Sequence, residues 1–222
     1  LKVNEYGVFR GAKRVAGDSE ASVYAAVGLA FVPPELREDQ GEIEAAAADE
    51  LPPLIELADL RGDLHAHTRA SDGRNTLAEM AQAARARGLA YLAITEHSRR
   101  ETRAHGLDPV RLLKQAGEIE RLNERLEGIT LLKGIEVDIL EDGSLDLPDS
   151  VLAKLDLVVG AVHGRFNLPR ARQTERILAA LERPCLSMLA HPSGRLIDER
   201  DPYAVDMLAV IRKARERGVF LA

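Results

Sequence analysis

From residue 60 onward, short apolar runs alternate with amphipathic helical stretches, and nothing else in the chain restricts its fold as strongly. Candidate strands lie at 63–67, 91–95, 130–136, 156–163, 186–190 and 219–222. Between them the spacing predicts helices over 76–87, 108–128, 149–155, 170–181 and 201–217. In the second of these, Leu112, Ala116, Ile119, Leu122 and Leu126 recur at helical spacing behind an Asp108 N-cap and Pro109. A hairpin-like insert is expected at 138–146, turning at Asp142-Gly143. Strands alternating with helices dictate a parallel α/β architecture. Six strand candidates are fewer than a closed barrel needs, so a barrel lacking its last strand is expected.

The chain has six histidines, and five of them stand at the C-terminal end of a predicted strand. His65 and His67 end the first strand, His97 follows the second, His163 the fourth and His191 the fifth; Glu136 ends the third. In parallel β/α barrels those strand ends converge on one face. The period of two along a strand puts His65 and His67 on the same side. Five imidazoles and a carboxylate gathered there make a ligand set suited to Zn, Mn or Fe. Asp72, in the turn Ser71-Asp72-Gly73, is a further candidate ligand, and Asp63 is expected to brace a ligand histidine or its loop. His105 falls outside the pattern, in a loop. Arg165 lies two residues after His163 and Arg195 four after His191, which makes them the candidate phosphate-binding cations. Other arginines read as solvated surface. Ser187 and Cys185 lack a base partner, so no nucleophilic serine or cysteine is assigned.

Composition narrows the classes. Apolar runs such as 155–162 fall far short of the ~20 residues a membrane helix needs, and no secretory signal stands at the front. One cysteine, Cys185, excludes a disulfide framework and points to a reducing cytoplasm. A net charge of −6 argues against a large, strongly basic nucleic-acid surface. It leaves room for a local cleft in which metal ions supply the positive charge. Aromatic residues make up 4% with no Trp, which argues against a stacking platform for single strands.

Residues 1–32 read as the tail of a larger unit, with strand material at 2–10, a short helix at 19–26 and Gly28 as its stop. Such a piece is too small to bury a core alone. Residues 33–59 read as an acidic linker punctuated by Pro33-Pro34 and Pro52-Pro53, in which Arg37 is the one base among nine acids from Glu35 to Asp59. Residues 60–222 then form the domain that carries the chemistry.

His65-Ala66-His67, Ser71-Asp72-Gly73, Thr95-Glu96-His97-Ser98, Gly134-Ile135-Glu136, Val162-His163-Gly164 and Ala190-His191-Pro192 resemble, in order, the motifs of the PHP (polymerase and histidinol phosphatase) superfamily. The likeness extends to the C-terminal PHP domain of bacterial and archaeal family X DNA polymerases. Asn4-Glu5-Tyr6-Gly7 resembles the end of their polymerase core, and residues 33–46 resemble their interdomain link. Arg165-Phe166-Asn167-Leu168 and Gly194-Arg195-Leu196 resemble the same subfamily. The resemblance implies a distorted seven-stranded β/α barrel around up to three divalent metal ions, with manganese the functional one and zinc or iron as alternatives. It implies one ion on His65, His67 and Glu136, a second on Glu136, His163 and His191, and a third on Asp72 and His97. Two departures from the family pattern stand out: Glu96 replaces a common Asp, and the Asp-x-His of the final strand is absent before Ala222.

The implied activity is metal-dependent phosphoester hydrolysis, of the 3′-5′ exonuclease type, at DNA 3′ ends in repair. Glu136, His163, Arg165 and Arg195 are the candidate catalytic residues, with DNA and a polymerase core as partners and no membrane. A small-molecule phosphatase of the histidinol-phosphate type is the second reading. A non-catalytic barrel supporting the polymerase core is the third.

Overall fold

A computed structural model describes all 222 residues, which divide into two compact units, Leu1–Asp59 and Leu60–Ala222.

The first unit opens with an antiparallel meander of β1 (Lys2–Asn4), β2 (Gly7–Arg10) and β3 (Lys13–Ala16). The third strand was not anticipated, because Lys13-Arg14-Val15-Ala16 is too short to show alternation. Gly7 has φ +127°, and a Cβ there would stand 2.3 Å from the Ala16 carbonyl, so only glycine lets β2 and β3 close. Helix α1 (Glu20–Val27) starts at a reciprocal cap between Ser19 and Ser22 and stops at left-handed Gly28. Arg37 donates to both Glu20 oxygens (3.0 and 3.1 Å) and to the Val32 carbonyl (3.0 Å), tying the following stretch back to α1. That stretch, expected as plain linker, carries a 3-10 turn (Pro34–Leu36) and a short helix, α2 (Glu42–Ala47).

In the second unit, six strands form one all-parallel sheet in strictly sequential order. They are β4 (Gly62–Ala66), β5 (Tyr91–Ile94), β6 (Thr130–Asp138), β7 (Leu157–Ala161), β8 (Met188–Leu189) and β9 (Phe220–Leu221). Sequential parallel order is the pattern of a β/α barrel, and the sheet curls as a half-barrel. Between the strands run α3 (Leu77–Ala86), α4 (Pro109–Asn123), α5 (Asp149–Leu152), α6 (Arg170–Leu181) and α7 (Met207–Arg217).

Local chemistry sets these boundaries. Thr76 and Glu79 form a reciprocal capping box ahead of α3. Asp108 accepts from the Val110 and Arg111 amides (2.9 Å each), a cap of about 1 kcal/mol. Helix α4 ends at Asn123 rather than near Gly128, because the Asn123 side chain pairs with both backbone groups of Leu131 and draws the chain into β6. Helix α7 begins at Asp206 as N-cap rather than at 201, since Tyr203 is tied by its amide to the Ser193 carbonyl (3.1 Å). The expected insert after β6 is present, with an antiparallel bridge from Ile139 to Leu145.

Alternation along the strands separates two apolar layers. Ile135, Val137, Val158 and Leu189 pack with Leu112, Ile177, Leu181 and Val210 of the helices. Leu92 and Ile94 pack with Ala81, Ala84 and Ile119. The opposite face gathers Ala93, Leu157, Val159, Ala161, Met188 and Ala190. Glu136 sits between Ile135 and Val137, so the period of two turns it away from the helices and toward this inner face.

Candidate metal centre

Strand β6 runs two residues beyond Glu136, to Asp138, so Glu136 lies inside the sheet rather than at its rim. It is 2% exposed. The segment 96–98 pairs alongside it: the Glu136 amide donates to the Glu96 carbonyl and the Ser98 amide to the Glu136 carbonyl, both 2.9 Å. That pairing fixes His97 beside Glu136.

Five imidazoles surround this one carboxylate, and they divide between its oxygens. Oε2 faces His65 Nε2 (3.3 Å), His67 Nε2 (3.6 Å) and His97 Nδ1 (3.0 Å). Oε1 faces His163 Nε2 (3.3 Å) and His191 Nε2 (2.9 Å). Asp72 closes one side, with its oxygens 3.6 Å from His67 Nδ1 and 3.5 Å from His97 Nε2. The rings of His67 and His97 therefore stack between two carboxylates, at 4.5 Å and 22°. Three groups have ligand atoms close enough to share an ion: His65, His67 and Glu136; His67, Asp72 and His97; His97, Glu136 and His163. The first set is the one the family resemblance implies. In the others His67 joins Asp72 and His97, and His97 joins His163.

Burial by itself would raise the Glu136 carboxyl, but the imidazoles of His163, His191, His65 and His97 gathered against it hold it far below the ordinary carboxylate range. Burial would lower His163, yet Asp138 and Glu136 together push it up to about 10. His67 is lowered, first by burial and then by the adjacent His97. The Nδ1 atoms of His67 and His97 are buried with no aligned hydrogen-bond partner. A cage this rich in imidazole, with lone pairs left over around two carboxylates, has the donor chemistry of a transition-metal site, and the residues present fit divalent ions.

Around the cage lie residues to which the sequence alone assigned no role in the site. Asp138 Oδ1 sits 3.2 Å from His163 Nδ1 and fixes that ring from behind. Its signal was available, since Asp138 is two positions from Glu136 on the same strand face. Glu96 is fully buried and accepts from the Thr68 amide, the Thr68 and Ser71 hydroxyls and the Gln115 amide group (2.8 Å). It thereby anchors the loop that carries Asp72. Arg176 of α6 is buried and donates to the carbonyls of Ile139, Leu140 and Gly164 (2.9 Å to the last). It binds the loop after β6 to the loop after His163.

Asp63 accepts from the His65 amide (2.9 Å) and braces that segment. His105 is exposed in its loop. Arg165 is paired with Glu141 (2.8 Å) and largely exposed. Arg195 lines a cavity of about 320 Å³ beside His163 and His191, together with Glu101, Phe166 and Arg200. Cys185 is half-buried, with its thiol pushed up by burial. No helix is long and apolar enough to cross a membrane.

The chain is 41% identical over 222 residues to the DNA polymerase/3′-5′ exonuclease PolX of Bacillus subtilis, covering 99% of this chain and 39% of that protein. It is 33% identical over 165 residues to a probable phosphatase of a Thermoanaerobacter species, covering 72% of this chain and 62% of that protein. It thus spans less than two thirds of the length of either relative. A histidinol phosphate phosphatase from Lactococcus lactis, crystallised with zinc, L-histidinol and phosphate, superimposes with a TM-score of 0.45 at 16% identity over 72% of each chain. Residues 1–38 match the DNA polymerase beta thumb. Residues 63–209 match the PHP domain, and with well over half its length so matched, the chain belongs to the PHP domain family.

Proposed function

We propose that this chain is the metal-dependent phosphoesterase segment of a family X DNA polymerase, and that it removes nucleotides from DNA 3′ ends. The observation that carries the reading is Glu136, one buried carboxylate with three imidazoles on one oxygen and two on the other. A carboxylate so placed suits two ions at once. The thumb match and the PolX relative support DNA and a polymerase core as partners. Manganese is the proposed ion, and zinc or iron would suit the same donors. A cytoplasmic setting, a role in DNA repair, and the seven-stranded barrel with its Asp-x-His belong to the same reading.

His65, His67, Asp72, His97, Glu136, His163 and His191 are the proposed ligands. When bound, the ions supply hydroxide near neutral pH and positive charge against the phosphoryl oxygens. The chain contributes the rest. Asp138 keeps His163 Nε2 turned toward Glu136 by holding its Nδ1. Glu96 keeps the Asp72 loop in place through Thr68 and Ser71. Arg195 offers positive charge to the ester from the adjacent cavity wall. Arg165, at the rim, would leave Glu141 to meet a substrate phosphate.

The test is a manganese-loaded protein given 3′-labelled and 5′-labelled primers beside histidinol phosphate. Loss of the 3′ label, with a ladder of shortened 5′-labelled products, is expected. Intact primers with hydrolysed histidinol phosphate would transfer the assignment to the phosphatase class of the Thermoanaerobacter relative.

A further inference from the structure

The cavity beside His163 and His191 contains a cation that its sequence position does not advertise. Arg200 is half-buried and has no carboxylate partner. Its guanidinium carbon lies 3.9 Å from the centroid of the Phe166 ring. Phe166 in turn lies nearly parallel to Tyr203, at 6.1 Å and 12°. Arg200 Nε donates to the Gly194 carbonyl (2.8 Å), and no protein acceptor takes up either Nη atom.

The loop that presents this group is braced along its length. Gly194 donates to the His191 carbonyl (2.8 Å), Leu196 and Arg200 exchange backbone hydrogen bonds (2.9 Å each), and Tyr203 donates to Ser193 (3.1 Å). Gly194 has φ +60°, and a Cβ there would stand 2.4 Å from the Tyr203 ring, so that ring packs directly on the loop backbone. Arg200 is thus held in register with His191, a proposed metal ligand on the same loop. Arg195, by contrast, is exposed, and Arg165 stands exposed at the rim in a pair with Glu141.

We propose that Arg200 is a phosphate-binding residue, presented by the Phe166–Tyr203 stack to the phosphate ester held at the metal centre. A planar guanidinium with one edge anchored and the other free matches two oxygens of a phosphate at once. Because stacking and the Nε bond already fix it, little side-chain freedom is lost on binding. The ligand chemistry is a phosphate ester, from a DNA terminus or from a small monoester. This assignment rests on the phosphoesterase reading for its substrate, but it is tested separately by the binding of phosphate itself.

The experiment uses the manganese-loaded protein with Arg200→Lys, Phe166→Leu and, as a surface control on α7, Arg212→Ala. Inorganic phosphate affinity is measured by calorimetry, metal per chain by elemental analysis, and KM and kcat with primer and with histidinol phosphate. Arg200→Lys keeps the charge but loses the fork, and is expected to weaken phosphate binding about tenfold with metal content unchanged. Phe166→Leu is expected to fall between it and wild type, and Arg212→Ala to match wild type. KM should rise with whichever ester is hydrolysed, and if both are, with both. Wild-type phosphate affinity in Arg200→Lys would overturn the assignment, as would loss of metal from that variant. A KM rise confined to the primer while histidinol phosphate is turned over normally would also overturn it. If wild type binds phosphate through Arg200 but hydrolyses neither ester, the phosphoesterase reading fails and the binding site stands.

Discussion

Glu96 offers the sharpest single test of how the centre is supported. Its carboxylate lies at 0% exposure and serves four donors: the Thr68 amide, the Thr68 and Ser71 hydroxyls, and Gln115 Nε2. Truncation to alanine strands them unequally. The hydroxyls can rotate, and Thr68 Oγ1 already accepts from the Ala70 amide (3.1 Å). The Thr68 amide and Gln115 Nε2 have no alternative acceptor in place. A buried donor left unpaired costs about 1–3 kcal/mol, so two of them predict a loss of about 2–6 kcal/mol. For a domain of this size, 1 kcal/mol corresponds to roughly 2–4 °C, which gives a Tm drop of roughly 4–24 °C. Glu96→Gln retains one acceptor oxygen but turns an N–H₂ toward the remaining donors, and should fall between wild type and alanine. The assay is thermal unfolding of the metal-stripped chain, paired with manganese counting on the loaded one. Because Thr68 and Ser71 flank the Asp72 loop, Glu96→Ala should also lose the ion proposed to sit on Asp72 and His97. A midpoint within 2 °C of wild type and an unchanged metal count would refute the reasoning.

Four further outcomes are expected. Glu136→Gln should bind at least one ion fewer and lose nearly all hydrolysis, as read by elemental analysis and the primer assay; full metal content would count against bridging by this residue. Asp138→Asn should weaken manganese binding about 10–100-fold through His163, and a calorimetric titration matching wild type would remove Asp138 from the centre. In the metal-stripped chain, His163 is raised from 6.5 to about 10, so its contribution to stability is fully present below pH 6.5 and lost as pH rises through about 10. Urea midpoints for wild type and His163→Gln should therefore converge at high pH, while manganese affinity should rise with pH because binding displaces that proton. Gly106→Ala would place a Cβ 1.8 Å from the Ser98 carbonyl and should destabilise by about 1–3 kcal/mol, so an unchanged melt would contradict that close approach.

Much of the centre was legible because its proposed ligands obey a positional rule. His65, His67, His97, His163 and His191 follow strands whose apolar runs are visible, and parallel topology sends all such ends to one face. What escaped was whatever depends on contacts between distant segments. Glu96 reads as a polar residue next to a ligand until Thr68, Ser71 and Gln115 fold over it. Arg200 belongs to a loop without periodicity, and its importance depends on Phe166, far back in the sequence. Helix ends escaped for a related reason: Asn123 stops α4 by bonding to Leu131, and Ser193 holds Tyr203 out of α7. Arg165 shows the converse, since its nearness to His163 in sequence does not prevent its side chain from pairing with Glu141.

The sequential parallel sheet has a consequence in time. Each parallel pair must wait for an intervening segment to close, and such non-local pairing is slow. Apart from His65 and His67, neighbouring imidazoles around Glu136 come from different strand ends, spread from residue 65 to residue 191. No half-folded chain can present them together, so the complete cage should appear only when β4 through β8 are in place. Metal capture would then be a late event in the life of the molecule. A spectroscopic probe ion such as cobalt should develop its full ligand-field spectrum with the slowest refolding phase.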